Sequence, residues 1–154
     1  IIGSARRADV RCVVADSPFA THASVVAHNV SRVVRVDGRP IVTLADLFIA
    51  RRAGYRSRDV EPVREVARIA PRPLLLIHGG ADATIPVSHI YRVYAAAGEP
   101  KELWVVEGAP HCGAYFADRQ AYCRRIAGFF ARHLEAGATT GDLSAGIDHE
   151  TTAS

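Results

Sequence analysis

The sequence predicts an α/β fold, parallel strands flanked by helices, on three observations. Three short apolar runs are continuous rather than alternating, helical patterns lie between and after them, and the composition is that of a globular chain. Of 154 residues 49% are hydrophobic and 23% charged, with 12 Gly and 8 Pro, which excludes collagen-like repeats and a wholly disordered chain. One compact domain is expected over residues 1–134.

The first run is Arg11 to Asp16 (RCVVAD), the second Pro73 to His78 (PLLLIH) and the third Leu103 to Glu107 (LWVVE). Apolar residues at every position, rather than every second one, suit strands covered on both faces. Between the first two runs, Thr21 to Val36 places Val25, Val26, Val30, Val33 and Val34 at helical spacing. A turn at Asp37 to Pro40 follows, then a second helix from Ile41 to Ala53, closed by Gly54. Val60, Val63, Val66, Ala67 and Ile69 predict a short helix, stopped by Pro71 and Pro73.

After the second run, Val87 to Ala97 reads as a helix between Pro86 and Gly98. The last helix, Ala114 to Leu134, carries Tyr115, Phe116, Tyr122, Ile126, Phe129, Phe130 and Leu134 on one broad face suited to packing on a sheet. Beyond it, residues 135–154 turn to Gly, Ala, Thr, Ser and Asp and are expected to be a disordered tail.

Charge and cysteine usage narrow the function classes. Nineteen Lys and Arg against 16 Asp and Glu leave +3, nearly all of it arginine scattered along the chain, which does not favour nucleic acid. No run approaches the ~20 apolar residues of a membrane span, and the start does not read as a signal peptide. Cys12, Cys112 and Cys123 lack paired spacing, so a reducing, cytoplasmic setting is expected and the thiols are expected to be buried or half-buried.

In an open parallel sheet, reactive groups gather in the loops after the strands' carboxyl ends. In the second such loop (HGGADATIP), Gly79 and Gly80 turn the chain and Asp82 precedes Ile85-Pro86. In the third (GAPHCGAY), His111 stands at the start of the last helix. An Asp in a Gly-rich loop is by itself a turn former, and a single His commonly serves only a local hydrogen bond. At consecutive strand ends the two can pair: the carboxylate fixes the imidazole tautomer, and the other ring nitrogen becomes a general base.

These loops, with RCVVADSPFA before them, resemble the α/β-hydrolase superfamily, in its serine-hydrolase branches related to prolyl oligopeptidase and dienelactone hydrolase, over Arg11 to Leu134. The resemblance implies that Asp82 is the acid and His111 the base of a Ser-His-Asp triad acting on an ester, thioester or peptide-like acyl bond. The substrate is then a small acyl compound, with no cofactor or metal.

The G-x-S-x-G nucleophile elbow of such enzymes is missing: Ser4, Ser17, Ser24, Ser31, Ser57 and Ser88 all lack the flanking glycines. With Ile at position 1 and no Met, this leads to the expectation of the carboxyl-terminal half of an α/β-hydrolase fold, inactive alone, with Ile1 to Ala8 the remainder of the helix after the elbow. The alternative is a non-catalytic remnant that at most binds a partner, and an exposed sheet edge would favour self-association.

Other readings have less support. Cys112 as a thiol nucleophile requires neighbouring side chains to reach one another, and His111, Cys112 and Cys123 match no zinc spacing. His78 is expected to hydrogen-bond loop backbone, Asp16 to anchor its loop, and Phe19 to belong to the core or a substrate pocket. His22, His28, His89, His133 and His149 are expected to be solvated or to cap helices. The helices Thr21 to Val36 and Ile41 to Ala53 occupy a lid position, where Val25, Val26, Val30, Leu44, Leu47 and Phe48 suit an apolar substrate or ordinary helix packing.

Overall fold

The computed structural model describes residues 1–54 and 56–135, so the tail expected at 135–154 lies, past its first residue, outside the described residues. Its elements in chain order are α1 (Ile2–Ala5), β1 (Val13–Asp16), α2 (His22–Val34), α3 (Arg39–Ala53), α4 (Pro62–Glu65), β2 (Leu74–Gly79), α5 (Ser88–Ala96), β3 (Lys101–Val106), α6 (Ala114–Ala117) and α7 (Arg119–Glu135). Short 3-10 turns occupy Ser57–Asp59 and Val66–Ile69.

The three strands form one parallel sheet in the order β1-β2-β3. Val13 stands opposite Leu74, and Ile77 stands between Asp16 and Trp104. Central β2 is buried along its whole length, as its continuous apolar run requires, whereas β3 is half-buried. Side chains alternate along β2, so Leu74 and Leu76 enter one core and Leu75 and Ile77 the other. The first core joins them to Val13, Val66, Ile69, Ile90 and Val93; the second joins them to Cys12, Ala114 and Phe129. Each such buried aliphatic side chain contributes roughly 1.5–3 kcal/mol relative to exposure.

Several boundaries differ from expectation. The helix expected over Ala114 to Leu134 is interrupted at Asp118, whose backbone is extended and whose Oδ1 accepts the Ala121 N–H at 2.8 Å. Asp118 is therefore the N-cap of α7, and the preceding turn is a separate helix. Phe116, expected on the core face, is 84% exposed, and Leu134 is also exposed. The segment from Val60 to Ile69 is one α-helical turn continued by a 3-10 turn.

The two helices between β1 and β2, α2 and α3, pack against each other. Leu44, Leu47 and Phe48 are exposed rather than packed into a core, and of the three only Leu47 lines a cavity between α2 and α3. Among the described residues no helix is long and apolar enough to cross a membrane.

Candidate active site

The loops after β2 and β3 are laced together by backbone hydrogen bonds: Gly80 N–H donates to Val106 O at 2.8 Å and Ala81 N–H to Ala109 O at 3.0 Å. A side chain at Gly79 would collide with Ala109 O and Pro110 O, so the absence of Cβ there is what permits the close approach. This brings the expected acid and base together.

Asp82 is buried. Its Oδ1 accepts the N–H groups of Thr84 at 2.9 Å and Ile85 at 2.8 Å, which fixes the carboxylate. Its Oδ2 accepts from His111 Nδ1 at 2.8 Å, while the His111 side chain keeps 37% of its surface exposed. Nδ1 must carry the proton in that bond, so Nε2 holds the lone pair, met among the described residues only by the Cys112 thiol at 3.6 Å. A buried acceptor and a partly exposed imidazole together make a proton relay that can take a proton from an incoming hydroxyl or thiol.

His78 is fully buried and, as expected, bonds to loop backbone, donating Nε2–H to Ile85 O at 2.9 Å. The same nitrogen lies 3.6 Å from Asp82 Oδ2, so two imidazoles flank one carboxylate oxygen. Asp16 anchors its loop: it accepts from Ser17 Oγ at 3.0 Å and from the Tyr122 hydroxyl at 2.9 Å. Burial first, and the bond to Asp16 second, push the Tyr122 phenol up to about 12.

Ser17, directly after β1, adopts a left-handed backbone with φ 48°, and its Oγ accepts the Cys112 N–H at 3.3 Å. It ties the histidine loop to the end of β1. Phe19 is half-buried against His22, with ring centroids 5.8 Å apart.

Four expectations about this region need correction. Cys112 Sγ lies 3.6 Å from His111 Nε2, so these neighbouring side chains do reach each other; Cys112 takes φ 52°, which bends the chain enough to fold its thiol toward the ring. Cys112 and Cys123 are exposed, and only Cys12 is buried. His89 is buried rather than solvated, and its Nδ1 accepts the Ala20 N–H at 3.1 Å. Desolvation, then the Arg92 charge, lowers its pKa.

His28, also expected to be solvated or a cap, instead fastens α2 to the loop after β2. Its Nε2 donates to Ala83 O at 3.0 Å, alongside Arg32 to Ala83 O at 2.7 Å and Asn29 to Thr84 O at 2.9 Å. These long-range partners carry no signal in the sequence beyond polar residues on one face of α2.

A cavity of about 750 Å³ opens between α2 and α3; His28 lines it, but Asp82 and His111 do not. Among the described residues no three His, Cys, Asp or Glu converge to hold a metal ion.

Comparison with known proteins adds four findings. The model of the prolyl oligopeptidase family matches residues 11–137. The YqkD protein of Bacillus subtilis is 34% identical over 116 residues, which cover 75% of this chain and 38% of that protein, so the chain spans little more than a third of this relative. Among solved structures, an esterase of Pyrococcus furiosus superposes with TM-score 0.63 at 22% identity, covering 85% of this chain and 48% of its own. The acylaminoacyl peptidase of Pyrococcus horikoshii superposes with TM-score 0.55 at 16% identity, covering 94% of this chain and 22% of its own. At these identities the superpositions establish the fold, part of an α/β-hydrolase.

Proposed function

The chain belongs to the prolyl oligopeptidase family, and from that membership we propose that it supplies the acid, Asp82, and the base, His111, of a serine hydrolase cleaving an ester, thioester or peptide-like acyl bond. The observation that carries this reading is the 2.8 Å bond from His111 Nδ1 to the buried Asp82 carboxylate, in a histidine whose side chain is otherwise partly exposed. The nucleophilic serine comes from a segment preceding this chain, since no serine within it has the flanking glycines of an elbow.

In the reaction, the serine Oγ attacks the acyl carbonyl as its proton passes to His111 Nε2. Asp82 stabilises the resulting imidazolium through Nδ1–H, and Nε2–H then protonates the leaving group. Water, deprotonated by the same nitrogen, hydrolyses the acyl-enzyme. The Cys112 thiol beside Nε2 is a weak hydrogen-bond partner and yields that position to a hydroxyl.

The test is p-nitrophenyl butyrate hydrolysis by the 154-residue chain and by the product of the complete reading frame. The chain alone should be inactive and the complete product active. Asp82→Asn should lower kcat about 10⁴-fold and His111→Ala at least as much. Activity of the complete product that survives His111→Ala would overturn the proposal. Hydrolysis by the chain alone that disappears in Cys112→Ala would replace the serine by this thiol.

A further inference from the structure

We propose that the cavity between α2 and α3 binds an anionic, partly apolar group, so that the substrate of this hydrolase carries a negative charge remote from its scissile bond. The inference rests on the hydrolase reading for the word substrate, but the binding site itself does not. At about 750 Å³ the cavity is within the size range of small-molecule sites. Ala27, Val42 and Leu47 supply apolar wall, enough to hold an alkyl or aryl segment.

The charged groups decide what else it holds. Arg39, Arg56 and Arg58 line the cavity against two carboxylates, Asp37 and Asp46. Both carboxylates are already engaged. Asp37 is paired with Arg39 at 2.8 Å, and Asp46, though buried, accepts the Ser57 N–H at 2.9 Å. Burial alone would raise the Asp46 carboxyl, but the hydrogen bonds from Ser57, with Arg58 nearby, outweigh it, so this carboxylate is ionised and satisfied. Arg56 and Arg58 make no ion pair closer than 4.0 Å with a carboxylate among the described residues. Neither guanidinium is locked in a close ion pair, although Arg58 shares its charge with Asp46, so both can turn to a ligand beside an apolar wall, a combination that selects a carboxylate or similar anion on a hydrophobic stem.

Position links the cavity to the reaction. His28 forms part of its lining and donates to Ala83 O, next to Asp82. A group seated there lies alongside the acid loop. Asp82 and His111 are not in the lining, so a substituent seated in the cavity leaves the scissile bond outside it.

The experiment is calorimetric titration of the 154-residue chain with 4-phenylbutyrate and with 4-phenylbutanamide, which share a shape and differ in charge. The carboxylate should bind about fivefold or more tightly at low salt, the size that one or two exposed ion pairs provide, and the gap should narrow as salt is raised. Arg56→Gln/Arg58→Gln should abolish the preference. Equal affinity for the two ligands, no measurable binding of the carboxylate, or a preference that survives the double substitution would each overturn the proposal. If the substituted chain does not fold, the comparison of the two ligands on the unsubstituted chain still decides. Because no hydrolysis is read, failure here leaves the triad standing. Success here with an inactive complete product would leave an anion site and remove the hydrolase.

Discussion

Replacing Gly79 by alanine isolates the contact on which the candidate site depends. The added methyl would press on two backbone carbonyl oxygens, of Ala109 and Pro110, and sit 3.0 Å from the Ala109 carbonyl carbon. Neither oxygen is free to move without loss, since Ala109 O accepts from Ala81 at 3.0 Å and Pro110 O from Gly113 at 2.9 Å. Overpacking of this kind costs about 1–3 kcal/mol. Adding about 1 kcal/mol for a strained or broken hydrogen bond gives a destabilisation of about 3 kcal/mol, or a fall in Tm of about 9 °C for a chain of this size.

The assay is urea or thermal unfolding, read beside the NMR signal of the His111 Nδ1 proton, which should weaken as the two loops part. Gly128→Ala on α7 is the matched control. Its methyl meets nothing closer than the Arg132 guanidinium at 3.6 Å, an ordinary contact, so removing a helical glycine should stabilise by about 0.5–1 kcal/mol. A Gly79→Ala chain within ~0.5 kcal/mol of the parent, with the Nδ1 proton unchanged, would show that the close approach of the loops does not hold the pair.

Three further outcomes follow from the same geometry. Iodoacetamide should alkylate Cys112 and Cys123 but spare Cys12, whose thiol is buried and has its pKa raised by that burial; His111→Ala should slow Cys112 several-fold and leave Cys123 unchanged, as read by peptide mass spectrometry. The raised Tyr122 phenol contributes stability that is complete below its ordinary pKa of 10.0 and is lost as pH rises toward about 12, so Tyr122→Phe should flatten the alkaline limb of a stability–pH curve. For His89 the sign is opposite. Its pKa is lowered in the folded chain, so the unfolded chain takes the proton first and stability falls as pH drops below 6.5, a slope that denaturant titrations should find reduced in His89→Gln.

Much of the architecture was legible along the chain. The run from Leu74 to Ile77 has no polar position, so its strand had to be covered on both faces, and it is the central strand. That Asp82 and His111 could meet was legible from glycine and proline placement after two such strands, and their side chains do hydrogen-bond. The interruption at Asp118 was not read, because the aromatic spacing of Tyr115 and Tyr122 continues across it; the signal present was an N-capping residue type within the pattern. The exposure of Leu44, Leu47 and Phe48 was not legible either. Periodicity shows which residues share a helix face, not what lies opposite that face.

Strand and helix assignments and the order of the elements follow from local chemistry, because backbone propensity and side-chain alternation act over a few residues. The 2.8 Å meeting of two side chains 29 residues apart belongs to the folded whole. It depends on the register that sets Ile77 beside Trp104, and on a missing methyl at Gly79 that lets two loops touch. The clamp from α2 and the turn of Cys112 toward His111 likewise arise only when segments distant in the chain, or a left-handed backbone, bring atoms together in space.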